Sequence, residues 1–305
     1  MSVPENPYPE VTVDTRARQV EGTNAWYMIG LSGIPGPDNE GHTSNAGFVV
    51  TDEGVVVYDA LGTPALGFEM IRRIREVTDQ PIRYVIAGHY HADHIYGLQA
   101  FADHTQARII GQRRAEDYLR GPAAENRLEQ RRGVLYPWVD EDTQVIPPDE
   151  LFDEEYTIEL GGKTFRLLHA GPAHSPDDVI MVVEEDGVVF AGDIVFDGRI
   201  PFLGDDALDS GNWVNRLEQV EAMEPNFLIP GHGDATANAR RAVRFTRDYL
   251  VKLREHMAES VEDMMSFEEA YAAMDWSEYE DLPAFDQTNR SNANAVFLEM
   301  ESKLF

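Results

Sequence analysis

Residues 88 to 97 read Gly-His-Tyr-His-Ala-Asp-His-Ile-Tyr-Gly, which places three imidazoles and a carboxylate within six consecutive positions. A lone histidine is usually a surface or core residue with a satisfied hydrogen bond. Four potential ligands in one short stretch point instead to a metal centre. His89, His91 and His94 offer neutral nitrogen and Asp93 an anionic oxygen, a donor set that zinc, iron and manganese all accept. His89 and His91 are two positions apart and cannot share a helix face, unlike the i, i+4 pair of a metalloprotease helix. The apolar run 82–87 before them reads as a buried strand and Ile95 onward as a helix, so the ligands are expected on an extended strand-to-helix loop.

The 305-residue chain has no cysteine, so every further ligand must be His, Asp, Glu or water. Its formal net charge is -30, from 55 acidic against 25 basic residues, which argues against nucleic acid as a partner. Only Lys163, Lys252 and Lys303 are lysines. Carboxylate excess with so little lysine is the surface of a salt-adapted protein, whose self-repulsion dense counterions screen. The first ten residues contain neither a basic region nor an apolar core, and no run approaches membrane-spanning length, so a cytoplasmic protein with no membrane partner is expected.

Along the chain, residues 11–30 read as opening strands and 30–47 as a Gly/Pro/Asn loop, in which His42 is expected to be exposed rather than to overlook a site. Residues 47–59 form a hairpin ending on Asp59, and Pro64 to Val77 a helix with Leu66, Met70, Ile71 and Ile74 on one side. Residues 107–110 read as a strand and 112–150 as a helical insertion, which either covers the site or links elements at the surface. Strands resume at 156–160 and 163–169. Residues 179–193 repeat the plan of 48–59: strand, acidic-Gly turn, strand, terminal Asp. Two such halves imply a sandwich whose loops meet at the site. A helix over 212–223 and a strand over 227–229 then lead to a tight Pro-Gly-His-Gly loop. The domain organisation expected is a catalytic domain over 1–235 and a helical extension over 236–305 packed on it.

Three more candidates follow strands: His174 in Gly-Pro-Ala-His-Ser-Pro-Asp-Asp, Asp193 in Phe-Ala-Gly-Asp and His232 in Pro-Gly-His-Gly. With Asp59 and the 89–94 cluster, this order resembles the metallo-β-lactamase superfamily over roughly residues 20 to 235. The resemblance implies a four-layer αβ/βα sandwich. It assigns His89, His91 and His174 to one metal, Asp93, His94 and His232 to a second, and Asp193 as their bridge. It also makes Asp59 a residue that steadies the histidine loop. Asp at position 193, where many true β-lactamases carry Cys or Ser, resembles hydroxyacylglutathione-hydrolase-like members. The runs 60–66, 89–99, 171–178 and 197–202 look like SoxH-type and quinoprotein-relay metallohydrolases. His169, at the mouth of the His174 loop, is a candidate partner for a metal-bound imidazole. His104 and His256 read as surface residues.

Two divalent metals, zinc foremost with iron or manganese as alternatives, imply a hydrolase in which a metal-held hydroxide attacks a thioester, lactone or β-lactam. Asp93 and Asp193 are then the carboxylates at the reaction centre and a small molecule the partner. The competing readings are an iron-dependent redox enzyme of the persulfide-dioxygenase kind and a non-catalytic metal-binding protein. Diiron oxygen reductases replace the second histidine of the cluster by Glu, against which His91 stands. The tail, with Leu250, Leu253, Met257 and Val261 at helical spacing and five further aromatics, must bury an apolar face on its own sandwich or in a homodimer.

Overall fold

The computed structural model describes residues 4–204 and 208–304; the first three residues, positions 205–207 of the 198–212 loop and Phe305 at the end of the tail lie outside the described residues. Among the described residues twelve strands form two sheets. The first holds β1 (Arg18–Gln19), β2 (Ala25–Met28), β3 (Ala46–Val50), β4 (Val55–Tyr58), β5 (Ile82–Ile86), β6 (Arg108–Gln112) and β7 (Glu150–Phe152), side by side in that order. The second holds β8 (Glu155–Leu160), β9 (Lys163–His169), β10 (Val179–Val183), β11 (Val188–Asp197) and β12 (Phe227–Gly233), again in order.

The repeat suspected from the two strand-turn-strand-Asp runs extends to the connectivity. In the first sheet β1 to β4 pair antiparallel and β5 then joins β4 parallel, across the helix α1 (Pro64–Val77). In the second, β8 to β11 pair antiparallel and β12 joins β11 parallel, after a crossover through a helix over Ser210–Ala222. A parallel return needs such a crossover because the chain must travel back along the sheet before pairing again.

Strand pleating sorts the apolar residues into layers. Val55 and Val57 point from β4 toward α1, where Leu66, Met70, Ile71 and Ile74 meet them. Val56 and Tyr58, one position out of phase, point into the space between the sheets against Phe165, Met181 and Phe190. Helix α1 forms where expected because Thr63 caps it, accepting Leu66 N–H at 3.2 Å, and Pro64 sits in the first turn, where no intrahelical donor is lost.

The short helices α2 (Ala92–Ile95) and α3 (Leu98–His104) follow β5, and α4 (Ala115–Arg120) and α5 (Pro122–Leu135) make up most of the insertion. The helix over Ser210–Ala222 is α6; it is followed by α7 (Ala239–Glu262), α8 (Phe267–Ala273) and α9 (Phe285–Leu304). On the outer side of the second sheet, Trp213 and Leu217 of α6, Leu250, Leu253 and Met257 of α7 and Val296 and Phe297 of α9 share one core with Val189, Ala191 and Val195. The layer order is helices, sheet, sheet, helices, and the tail buries its apolar face on its own chain. No helix among the described residues is long and apolar enough to cross a membrane.

Four expectations about local structure need correction. Helix α2 starts at Ala92, so Asp93 and His94 lie on a helical turn and only His89 and His91 on the loop. Asp193 sits inside β11 and His232 inside β12, not beyond their ends. Gly192 adopts φ +52°, and the β11–β12 register shifts on either side of it, yet pairing resumes at Phe196 with His232. A glycine that reads as a strand terminator is here an irregularity within a continuing strand. His42 is completely buried, because the 30–46 loop packs inward instead of reaching solvent. His256 is half-buried, its Nε2 2.7 Å from the Ala270 carbonyl oxygen, whereas His104 is exposed as expected.

Candidate metal centre

The loop after β5, helix α2, the loop before β10 and strands β11 and β12 place seven side chains around one point. Gly88, two residues beyond the end of β5, carries no side chain because none fits: a Cβ there would lie 2.6 Å from the Tyr58 hydroxyl and 2.8 Å from Asp59 Oδ1. Its N–H donates to that oxygen at 2.7 Å, fixing where the histidine loop departs. Gly231 plays a similar part in β12, since a Cβ there would strike Asp193 Oδ1 at 2.0 Å.

Ligand atoms gather in three overlapping sets, His89 with His91 and His174, His89 with His94 and Asp193, and Asp93 with His94 and His232, each set lying within 4.8 Å. His174 Nε2 is 3.0 Å from His91 Nδ1. Asp193 reaches across the cluster: Oδ2 stands 3.2 Å from His174 Nε2 and 3.3 Å from His232 Nε2, and Oδ1 3.2 Å from His94 Nε2. Asp93 Oδ2 lies 3.5 Å from His232 Nε2. All seven residues named from the sequence are thus brought together.

The surrounding groups decide which imidazole nitrogen faces inward. Asp59 Oδ2 lies 2.7 Å from His94 Nδ1, the carbonyl of Phe202 2.9 Å from His174 Nδ1, and the carbonyl of Thr43 2.7 Å from His232 Nδ1. Carbonyl and carboxylate oxygens only accept, so each Nδ1 carries the hydrogen and each Nε2 keeps its lone pair for the centre. His169 Nε2 meets the Pro176 carbonyl at 2.9 Å and so braces the loop that carries His174.

A cation fits this donor set. His89 Nε2, His94 Nε2 and Asp193 Oδ1 are buried without a hydrogen-bond partner, which polar atoms in a folded core rarely tolerate. Burial works against charge on Asp193, but the imidazoles of His232, His94 and His174 outweigh it and hold its pKa well below the carboxylate range. Burial also opposes charge on His94, and there Asp193, Asp59 and Asp93 prevail, raising it well above an ordinary imidazole. Burial, with the neighbouring His94 and His91, pushes His89 well below.

The sequence offered no signal for several residues that complete the site. Thr43 serves two ligands, donating from its hydroxyl to Asp93 Oδ2 at 3.0 Å while its carbonyl takes His232. Asn45 donates to the carbonyls of Pro230 and Gly233 at 2.8 and 2.9 Å, tying the same loop to the strand that carries His232. Tyr90 N–H donates to Asp177 Oδ2 at 3.0 Å, anchoring the histidine loop to the His174 loop. Arg199 is buried against His232, its Nη1 3.4 Å from Nδ1; only the run Asp-Gly-Arg-Ile-Pro-Phe, noted for its likeness, lay near it. Over the centre opens a cleft of ≈ 760 Å³ whose walls include Ile34, Tyr118, Arg127, Arg131, Val134 and Phe202. The insertion therefore covers the site, and α9 contributes Gln287 and Thr288 to the same wall.

Residues 40–232 match the family model of the Metallo-beta-lactamase superfamily. A linear primary-alkylsulfatase of a Pseudomonas species is 23% identical over 235 residues, which is 67% of this chain and 44% of the alkylsulfatase. Hydroxyacylglutathione hydrolase GloC of Haemophilus influenzae is 27% identical over 173 residues, covering 55% of this chain and 76% of GloC. Among solved structures, the inverting sec-alkylsulfatase Pisa1 of a Pseudomonas species superposes with a TM-score of 0.73 at 15% identity, over 93% of this chain and 50% of Pisa1. The chain thus spans about half the length of either alkylsulfatase.

Proposed function

The chain belongs to the metallo-beta-lactamase superfamily of hydrolases, and from that premise we propose that it hydrolyses a carbonyl-centred bond, a thioester, lactone or β-lactam, at a centre of two divalent cations. The observation that supports this is the reach of Asp193, one carboxylate within 3.2 to 3.3 Å of nitrogens from both halves of the cluster. In this reading His89, His91 and His174 hold one cation, Asp93, His94 and His232 the other, and Asp193 both. Zinc is the first choice, with iron or manganese compatible with the same nitrogen and oxygen donors.

Two such cations, when bound, supply Lewis acidity and a deprotonated water at neutral pH. The protein's part is orientation. Asp59 and the carbonyls of Thr43 and Phe202 lock three imidazoles with Nε2 inward. Asp93 and Asp193 both face the cleft, so their carboxylates can accept a hydrogen from the attacking water and aim its oxygen at a carbonyl carbon. The walls from α4, α5 and α9 hold the small-molecule substrate and exclude bulk water around it. A second reading, cleavage of a sulfate ester, draws on the alkylsulfatase likeness along 67% of the chain.

Metal analysis of protein purified without added metal, followed by a panel of thioester, lactone, β-lactam and alkyl sulfate substrates, tests both readings. Two equivalents of metal with turnover of a carbonyl substrate are expected. A single iron with oxygen uptake would replace the hydrolase by a redox enzyme. Full occupancy without any turnover would leave a binding protein. Asp193→Ala should lower occupancy of both positions together, and loss of one metal alone would refute the bridge.

A further inference from the structure

Four arginines, Arg114, Arg127, Arg131 and Arg199, line the cleft of a protein that is otherwise crowded with carboxylate. Most arginines elsewhere sit on acids, as Arg72 does on Glu69 at 2.7 Å, Arg113 on Asp153 at 2.6 Å and Arg254 on Glu299 at 3.3 Å; Arg75, Arg83 and Arg216 donate to backbone carbonyls instead, and Arg18 is exposed to solvent. Arg127, Arg131 and Arg199 all line the cleft, and among the described residues none of them has a carboxylate in ion-pair contact. Arg199 is 4% exposed and Arg131 half-buried, so neither charge is solvated as a surface arginine would be. With 55 acidic side chains available, three guanidiniums without an ion pair gathered around one opening are a specific arrangement.

Loading the centre sharpens this imbalance. Asp93 and Asp193 are the anions whose fields Arg131 and Arg199 feel. Two divalent cations on two carboxylates and neutral imidazoles leave an excess of positive charge, so those fields no longer serve the guanidiniums. The mouth beside them is apolar. Ile34 is 60% exposed and Val134 40% exposed, large aliphatic side chains that both line the opening. One wall feature calls for an anion and the other for hydrocarbon.

We propose that the substrate is an amphiphilic anion: an oxyanion group, carboxylate, sulfonate or sulfate, is held by Arg131 and Arg127 of α5 beside the buried Arg199, with an apolar chain lying between Ile34 and Val134. The planar guanidinium fork suits such a group because two parallel N–H donors match two oxygens. This deepens the reading above and rests on its cation-loaded centre.

The test is calorimetric binding to metal-loaded protein at one fixed salt concentration, with hexanesulfonate, sodium sulfate and 1-hexanol as probes, none of which the enzyme need turn over. Hexanesulfonate should bind tightest, sulfate more weakly, and hexanol weakest. Arg131→Gln and Arg127→Gln should each weaken hexanesulfonate by about tenfold or more. Arg120→Gln, an exposed residue of α4 paired with Glu116, controls for net charge and should leave binding as it was. Hexanol binding as well as hexanesulfonate, or Arg131→Gln binding like the parent, would overturn the proposal. Sulfate outbinding hexanesulfonate would remove the apolar half of it. Arginine-dependent sulfonate binding in a protein that hydrolyses nothing would defeat the hydrolase reading and, with it, the claim that this anion is a substrate, leaving only the binding site.

Discussion

Asp59 Oδ2 lies 2.7 Å from Nδ1 of His94, while Oδ1 of the same carboxylate takes the Gly88 N–H at 2.7 Å. One fully buried side chain thereby sets both the departure of the histidine loop and the tautomer of a ligand on the helix that follows. Asp59 does this from a left-handed backbone, φ +61°, which aspartate and asparagine tolerate better than most residues.

Asp59→Asn keeps that shape and can still accept from Gly88, but its amide presents a donor to His94. The imidazole must then carry its hydrogen on Nε2 or lose the contact, and either outcome spoils the ligand. Metal affinity at the position built from Asp93, His94 and His232 is expected to fall by about 10- to 100-fold, with the other position less affected. Metal titration followed by elemental analysis measures this, and unchanged affinity at both positions would contradict it.

His42 is enclosed, and burial pushes its pKa down to about 4 from 6.5, against the opposing charge of Asp14. Above pH 6.5 neither the folded nor the unfolded chain holds the proton, so the residue is silent. Below it the unfolded chain binds a proton that the folded one refuses. Stability should fall as pH drops from 6.5 toward 4, by about 3 kcal/mol at the lower end from this residue. His42→Gln lacks that term, so the slope of unfolding free energy against pH should be shallower in the variant; equal slopes would show that His42 titrates normally.

We propose that residues 1–235 form the catalytic domain and 236–305 an extension that it needs. Asn292 of α9 donates to the Pro201 carbonyl at 2.7 Å and accepts the Leu203 N–H at 3.0 Å, holding the segment whose Phe202 carbonyl orients His174. Asn292→Ala leaves those buried backbone groups unpaired and should destabilise the protein by about 1–3 kcal/mol. A chain ending at Ala239 should be insoluble or markedly less stable, because it uncovers Trp213 and Val195. A soluble truncation with unchanged metal content and solution mass would show the tail to be dispensable. Solution mass of the full chain also tests a homodimer.

A surface with net charge -30 repels itself. Raising salt from about 0.1 M to about 1 M shortens the screening length from about 10 Å to about 3 Å, so the unfolding midpoint should rise over a range where a balanced protein changes little. A flat midpoint between those concentrations would argue against salt adaptation.

The sequence by itself determined the candidate ligands, which the fold brings together, and the framework. His89, His91, Asp93 and His94 are neighbours in the chain, and the alternation of apolar residues around Val55–Tyr58 and Val179–Val183 carries the sheets, because both are local patterns. Helix α1 was legible to its end residues because its cap and its apolar stripe agree. Tertiary structure alone decided how the ligands are held and what surrounds them. Thr43 and His232, 189 residues apart, meet only because the loop before β3 crosses to the end of β12. Arg127 and Arg131 lie on a helix with no apolar stripe to announce its orientation, and His42 is buried in a stretch whose composition reads as exposed. Such contacts depend on how two sheets stack and where loops cross between them, and no short run of residues encodes that.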